Sequence, residues 1–211
     1  MSRGLKPIEA PISERQRYEV DLKTVDKFTP GWPEASQLAA KAMLEKYGDP
    51  QEISFSNLTW YHQGPFKKIS VHRESVPHHF PILHDDVLVH VIDYGVKSDN
   101  ANDLISYNGS IIMDRTRGEL SANCHKEEIN ILSLNLAHDI IHKKLTMQEA
   151  RIQHAKHVFN LINGDPSLYT QGLQFPRQIN TQDPDESMSA KINWGKQAQE
   201  EPGKSPVDLG D

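Results

Sequence analysis

The sequence has few of the residues that carry covalent cross-links or membrane attachment. A single cysteine, Cys124, excludes an internal disulfide framework and any zinc site built from several cysteines. No stretch approaches the ~20 apolar residues that a membrane-spanning helix needs. The N-terminal residues also lack the apolar segment of about 7–15 residues that a secretory signal contains. These absences predict a cytoplasmic protein without a membrane partner.

Basic residues are also in the minority. Asp and Glu total 29 against 23 Lys and Arg, so the formal net charge is −6. This balance excludes a generally basic surface, and a nucleic-acid partner is therefore not expected. Hydrophobic residues make up 36% of the chain, below the roughly 45–50% of an average globular protein on a count that includes glycine. Part of the chain is therefore expected to lie outside a packed core.

The shortage of apolar residues is concentrated at the two ends of the chain. Residues 176–211 are acidic and poor in apolar side chains, so burial cannot offset the entropy of ordering them, and disorder is predicted. Residues 1–31 form a polar N-terminal arm, in which alternating apolar and charged residues over 18–23 favour one edge strand. The remaining residues, 32–175, are predicted to form a single domain.

The first elements of this domain have clear boundary signals. Pro33, followed by an acid, favours a helix start because proline suits the first helical position and an acid complements the helix dipole. The segment that follows is rich in Ala, Leu, Glu and Lys, and Gly48 suits its end. Alternating apolar residues on both sides of Gly64–Pro65 then predict a β-hairpin over 57–73.

Residues 85–95 are ambiguous. Their apolar spacing fits a helix capped by Asp85 or Asp86, whereas their β-branched side chains leave a strand as the alternative. A short helical turn over 102–107 and a second hairpin, which turns at Arg117–Gly118, are predicted to follow.

Two helices close the domain. A wide apolar arc predicts a central helix over 124–143, with Leu136 deeply buried at its centre. Thr146 stands three residues before Glu149, which is the capping-box signature of the second helix. The predicted fold class is therefore α+β: an antiparallel sheet built from two β-hairpins, packed helices, a C-terminal antiparallel helical hairpin and a disordered tail.

Several strings between Lys46 and Gly172 resemble an uncharacterised family of bacterial proteins of unknown function. They are YGDP, LTWYHQGPFKKI, IDYGV, RTRGELSANC and NLAHDI. The resemblance implies a bacterial cytoplasmic protein and carries no activity with it. The layout of a helix, Gly-Asp-Pro and two strands is also similar to small modules of some bacterial binding proteins, a likeness of topology that does not fix function.

Histidine is the unusual feature of the composition, with eleven residues. One histidine-rich segment contains His78, His79, His84, Asp85, Asp86 and His90. Such a segment holds a metal only if three or more of its side chains converge. Because adjacent residues usually point apart, an exposed polar loop is the preferred interpretation of this segment.

A second cluster lies on the central helix and consists of His138, Asp139 and His142. Residues four apart share a helix face, so both histidines can reach one ion. The doublet resembles that of the HD family of metal-dependent phosphohydrolases, which implies a metal-activated water. In that resemblance the earlier histidine is His90 or His84, and the later aspartate is Asp165. The HD family is all-helical, however, whereas a hairpin is predicted between His90 and the doublet.

Two further residues have both a structural and a reactive interpretation. His154 lies on the apolar side of the last helix and is predicted to be buried and hydrogen-bonded rather than a ligand. Cys124 is predicted at a helix start, where the dipole lowers a thiol pKa, and His125 follows it. Consecutive residues rarely pair as nucleophile and base, so a buried, inert cysteine is preferred.

The surface predicted to carry function is the first hairpin, where aromatic residues favoured at interfaces stand beside lysines. It consists of Trp60, Tyr61, Phe66 and Lys68. The sequence therefore predicts a soluble, non-enzymatic binding or protein-interaction module with a protein or small-molecule partner and no cofactor. The alternative is a metal-dependent phosphohydrolase that holds a divalent metal with His138, Asp139, His142 and His90.

Overall fold

A computed structural model of the protein describes residues 22–188. In this range six strands form one antiparallel sheet in the order β1-β2-β3-β4-β6-β5. The strands are β1 Glu52–Ile53, β2 Asn57–Gln63, β3 Phe66–His78, β4 His84–Asp93, β5 Ile111–Asp114 and β6 Glu119–Cys124. The helices are α1 Leu22–Phe28, α2 Glu34–Tyr47, α3 Ala101–Tyr107, α4 Glu127–Ile141, α5 Met147–Ile162 and α6 Leu168–Gln171. The fold class is α+β, as the sequence predicts.

The local signals at the ends of α2 and α5 are confirmed. α2 begins after Pro33 and is capped at its end by Gly48, whose φ of 73° lies in the region that favours glycine. α5 is capped by Thr146, whose hydroxyl accepts from the Glu149 N–H while the Glu149 carboxylate accepts from the Thr146 N–H. These helix ends therefore satisfy backbone groups that would otherwise lack partners.

The two predicted hairpins are confirmed as β2–β3 and β5–β6. Of the two alternatives left open over 85–95, the strand is confirmed and the helix is wrong, because His84–Asp93 form β4 in the middle of the sheet, between β3 and β6. Residues 86–88 and 90–92 are buried in succession, so both faces of β4 are covered. In a strand covered on both faces, apolar and polar residues do not alternate strictly. Its continuous apolar run therefore cannot be distinguished from a buried helix by spacing alone.

The central helix is confirmed as α4, and Leu136 is only 1% exposed. α4 begins at Glu127, later than predicted, because Cys124 is the last residue of β6. The cysteine therefore lies at a strand end and not at a helix start, although its predicted burial is confirmed at 2% exposure.

The N-terminal arm contributes to the core. The predicted edge strand over 18–23 lies almost wholly outside the described residues, and Leu22 begins α1. Val25 and Thr29 are fully buried. The packed part of the chain therefore begins before Trp32.

The segment that follows Phe175 lies against the sheet, and we call residues 177–185 the strap. Arg177 binds Asp93 at 3.0 Å, and Arg115 donates to Asp183 at 2.8 Å. The attachment is polar, in keeping with the apolar-poor composition of this segment. The sequence predicts disorder over 176–211. Within that range the residues of the strap make the contacts above, and residues 189–211 lie outside the described part of the chain.

Backbone contacts also hold the strap. The Gly95 N–H donates to the Gln178 side chain at 3.0 Å. Gly118, with a φ of 63°, passes so close to Thr181 that a Cβ would lie 2.2 Å from the Thr181 carbonyl carbon. Only glycine fits the β5–β6 turn beneath the strap.

Truncation after Phe175 is expected to lower the melting temperature by about 2–4 °C, because it removes the strap contacts. Truncation after Met188 is the matched control, and we expect it to leave the melting temperature unchanged because residues 189–211 are poor in apolar side chains. Differential scanning calorimetry of the three proteins measures both effects. Identical melting temperatures for all three would show that the strap does not stabilise the domain.

Candidate functional site

A cavity of about 700 Å³ opens between α2, the start of β4 and the start of α4. Its apolar lining consists of Ala35, Leu38, Ala42, Met43 and Leu88. Its polar lining consists of Glu45, Lys46, His84, Asp85, His125, Lys126, Glu127 and Glu128. The cavity is therefore amphipathic, with an apolar wall along α2.

Five side chains converge beside the polar end of the cavity, and we call them the His–Cys cluster: His78, His84, Asp86, Cys124 and His125. Potential ligand atoms of His84, Cys124 and His125 all lie within 4.8 Å of one another. The same holds for His78, His84 and Asp86. His84 therefore belongs to both sets and lies at the centre of the cluster.

Strand pairing assembles this cluster. His78 lies opposite His84 in the β3–β4 ladder, and Leu88 lies opposite Cys124 in the β4–β6 ladder. Alternate residues of a strand point to the same face, so His84 and Asp86 share the face of Leu88 and of its partner Cys124. His125 follows on the link to α4 and reaches the same place.

The contacts of His84 leave one ring nitrogen without a hydrogen bond. Its Nδ1–H donates to the Ile82 carbonyl at 2.8 Å, which fixes the proton on that nitrogen. Its Nε2 lies 3.2 Å from Asp86 Oδ1, yet among residues 22–188 neither atom makes a hydrogen bond of acceptable geometry. Both side chains are buried, at 7% and 5% exposure. Two buried polar atoms therefore face each other without hydrogen bonds, which is rare in a folded interior.

The other carboxylate oxygen of Asp86 is fully engaged. Ser110 Oγ donates to Asp86 Oδ2 and lies 3.2 Å from His78 Nδ1. His78 Nδ1 in turn lies 3.3 Å from Asp86 Oδ2. This side of the cluster is a closed polar network, in contrast to the open Nε2 of His84.

The two histidines that line the cavity have pKa values displaced in opposite directions. Burial acts to lower the pKa of His84, but Asp86 and the Cys124 sulfur outweigh it and raise that pKa to about 10. Burial and the neighbouring His84 lower the pKa of His125 to about 4. At neutral pH the free protein therefore presents one charged and one neutral imidazole to the cavity. Paired groups with displaced pKa values are characteristic of functional sites.

The hairpin surface predicted to carry function is largely internal. Trp60 is 0% and Phe66 3% exposed, and Trp60 Nε1 donates to the Gly48 carbonyl at 2.8 Å. Both aromatic side chains belong to the buried core cluster, so they contribute to the core and not to a surface. Tyr61 is exposed and Lys68 half-buried. Only these two of the four residues can contact a partner.

The His-Asp doublet on α4 does not assemble a ligand set. The rings of His138 and His142 lie with centroids 4.0 Å apart, as their helical spacing predicts. Asp139, however, accepts from the Tyr169 hydroxyl at 2.7 Å and from Lys144 at 3.0 Å. Its carboxylate is therefore committed to other partners than the two imidazoles.

His90 is also separate from the doublet. It is completely buried, and its Nε2 lies 3.1 Å from Glu127 Oε2. Its Nδ1 lies 2.9 Å from the Asn130 side-chain nitrogen. Among the described residues the converging sets of potential metal ligands contain none of His90, His138, Asp139 and His142. The arrangement expected of a phosphohydrolase is therefore not formed by these four residues.

The structure instead gathers residues of the segment interpreted as an exposed polar loop. Asp86 is 5% exposed, and it lies within β4 rather than in a loop. His78 and His84 belong to the cluster. Of the three histidines at 78, 79 and 84, only His79 is exposed and lies outside it. No local pattern indicates that Cys124 and His125 join them, because that contact depends on the pairing of β4 with β6.

Comparisons with family models, with curated proteins and with solved structures return no match to this chain. In the described range, no helix combines the length and the apolar character required to cross a membrane. Any functional assignment therefore has to follow from the cavity and the His–Cys cluster.

Proposed function

We propose that the protein is a binding module for a small amphipathic molecule, which it holds in the cavity between α2 and the start of α4. Ligand sites are typically cavities of roughly 300–1,000 Å³ with apolar walls and a few convergent polar groups. The cavity here has this size and this lining. The observation that carries the proposal is the position of the His84 and His125 imidazoles in the lining of this cavity, together with the apolar side chains of α2.

The division of the lining indicates how a ligand lies. The apolar part of the ligand contacts the wall of α2 at Leu38, Ala42 and Met43, and its polar group faces His84 and His125. Burial of the exposed Leu38 side chain, 57% accessible in the free protein, contributes to affinity because removing apolar area from water is favourable. The proposed site thus replaces the aromatic hairpin as the binding surface.

A reducing compartment fits this proposal. The single cysteine is free and buried, and proteins of the cytosol generally keep their thiols reduced. We therefore place the binding module in the cytoplasm.

Ala42→Trp is expected to block the cavity. Ala42 is exposed and lines the cavity, so the indole fills the space of the ligand without disturbing the core. With anilinonaphthalene sulfonate as the amphipathic probe, we expect saturable binding of one dye per chain and an affinity at least about tenfold weaker in the variant, a loss of ~1.4 kcal/mol. Fluorescence titration measures both affinities.

Ala155→Trp is the matched control, because Ala155 is also an exposed helical alanine and does not line the cavity. It should bind the dye as the unaltered protein does. Equal affinities in all three proteins, or no saturable binding, would contradict the proposal. Circular dichroism verifies that both variants are folded.

A further inference from the structure

Three residues of the His–Cys cluster have the chemistry and the spacing of a metal centre. We infer that His84, Cys124 and His125 bind one divalent transition-metal ion, zinc by the nature of the ligands, with a coordination position open toward the cavity. This inference goes beyond the proposed binding of an organic molecule and does not depend on it.

The first argument is distance. Cys124 Sγ and His125 Nδ1 lie 3.4 Å apart and are hydrogen-bonded to each other in the absence of an ion. In a tetrahedral zinc site, Zn–S and Zn–N bonds of about 2.3 and 2.0–2.1 Å place a sulfur and a nitrogen ligand about 3.5 Å from each other. The pair is therefore already at the spacing of two ligands on one ion, and a His84 nitrogen lies within 4.8 Å of both.

The second argument is the hydrogen bonding of His84. A metal-bound histidine usually donates its other ring N–H to a carbonyl or carboxylate, which fixes the tautomer and orients the ring. His84 Nδ1–H donates to the Ile82 carbonyl at 2.8 Å. Its Nε2 makes no hydrogen bond among residues 22–188, although the side chain is only 7% exposed. A buried ring nitrogen without a hydrogen bond is available to an ion, whose binding displaces a proton from it.

The competing set of His78, His84 and Asp86 is less suitable. Ser110 occupies Asp86 Oδ2 and lies 3.2 Å from His78 Nδ1, so binding an ion there would break a formed network. The hydrogen bonds of Ser110 and His78 do not involve Asp86 Oδ1, which lies 3.2 Å from His84 Nε2.

The ligand types select the ion. One sulfur and two imidazoles favour zinc over the oxygen-seeking magnesium and calcium ions. Three protein ligands leave the fourth position for water or for a donor group of the cavity occupant, as in catalytic zinc sites. Because His84 and His125 both line the cavity, that position faces the space proposed for the ligand. A zinc ion there supplies Lewis-acid polarisation of such a donor group.

Cobalt substitution tests the inference directly, because Cys124 is the single cysteine of the chain. The full chain, produced without a histidine tag, is stripped with pyridine dicarboxylate, kept reduced with a phosphine and titrated with Co²⁺. We expect one cobalt per chain, the visible bands of four-coordinate cobalt and a sulfur-to-cobalt charge-transfer band in the near ultraviolet, all removed by Zn²⁺. No stoichiometric cobalt or zinc, or cobalt bound without the charge-transfer band, would overturn the inference.

Variants identify the ligands. Cys124→Ser is expected to abolish the charge-transfer band, and His84→Gln and His125→Asn should each weaken zinc binding at least about a hundredfold, the upper range for loss of even a supporting residue. His142→Gln and His79→Gln are the controls, since both residues are exposed histidines outside the set. They should bind zinc as the unaltered protein does.

Two outcomes separate this site from its neighbours. Ion binding that survives Cys124→Ser but is lost in Asp86→Asn would overturn the inference in favour of the competing set. Ala42→Trp, which blocks the dye, should leave the cobalt spectrum intact, so the failure of the organic-ligand proposal and the failure of the metal inference are distinguishable. Circular dichroism of each variant shows that it is folded, and His125→Asn, at a half-buried position, provides a ligand deletion outside the core.

Discussion

Replacement of Glu127 by alanine is expected to lower the free energy of unfolding by about 3 kcal/mol, the scale of two lost hydrogen bonds to a charged group. The Glu127 side chain is 6% exposed and joins three elements. Its carboxylate accepts from Lys46 and from the Tyr47 hydroxyl of α2, the latter at 2.7 Å, and lies 3.1 Å from His90 of β4. Loss of this carboxylate therefore disconnects α2 and β4 from the start of α4.

The titration of Glu127 leads to the same magnitude. Burial acts to raise its pKa, but the contacts with His90, Lys46 and Tyr47 outweigh burial and lower that pKa to about 2. A carboxyl whose pKa is lower in the folded state stabilises the fold above its ordinary value of about 4.5, and this stabilisation is lost as the pH falls from there toward 2. A difference of ~2.5 units corresponds to about 3 kcal/mol.

Urea denaturation at neutral pH measures the effect, and Glu128→Ala is the matched control. Glu128 occupies the same first turn of α4 and also lines the cavity, but it is exposed. A surface substitution of this kind is expected to change stability by less than about 0.5 kcal/mol. Equal stability of the two variants would contradict the role assigned to the Glu127 contacts.

Acidification from pH 6.5 to 4.5 is expected to cost about 2 kcal/mol of stability through His154 alone. His154 is 1% exposed, and its Nδ1 lies 2.8 Å from the Tyr107 hydroxyl. Burial, followed by the charges of His84 and His78, lowers its pKa to about 3. Because the unfolded chain binds the proton first, this stabilisation is complete above pH 6.5 and decreases as the pH falls toward 3.

His154→Gln is expected to remove this dependence. The amide can still bond the Tyr107 hydroxyl but does not titrate, so the slope of unfolding free energy against pH should decrease by about 1.4 kcal/mol per unit. Urea denaturation at several pH values between 6.5 and 4.5 measures the slope, and His142→Gln, at an exposed position, should retain it. Parallel curves for His154→Gln and the unaltered protein would show that another group causes the acid sensitivity.

Elements with local signals could be predicted from the sequence, and elements defined by packing could not. The helix between Pro33 and Gly48, the capping box at Thr146 and both hairpins depend on residues close together in the chain. The segment of β4 could not be assigned to a strand or a helix, because its sequence does not show that both of its faces are covered. The burial of Trp60 could not be predicted either. The helices determine which face of β2 is covered, and the sequence of the strand does not show this.

The same distinction applies to the candidate site. Helical spacing correctly predicts that His138 and His142 are adjacent, but adjacent positions on a helix differ by about 100°, so Asp139 points elsewhere. His84 and Asp86 are close in sequence, and their alternation on one strand places them on one face. The approach of Cys124 and His125 depends on a ladder between distant strands, for which the sequence has no local signal.

The order of strands in the sheet has a consequence for folding kinetics. Within the described residues, the β4–β6 ladder is the one pairing of strands that are not consecutive in the chain. His84 belongs to the meander of β1 to β4, whereas Cys124 and His125 belong to the unit of β5, β6 and α4. The intervening chain must close as a loop before this ladder forms, and such non-local pairing slows folding. Because the ligands proposed for zinc come from both sides of that ladder, zinc binding stabilises the joined halves relative to the separated ones.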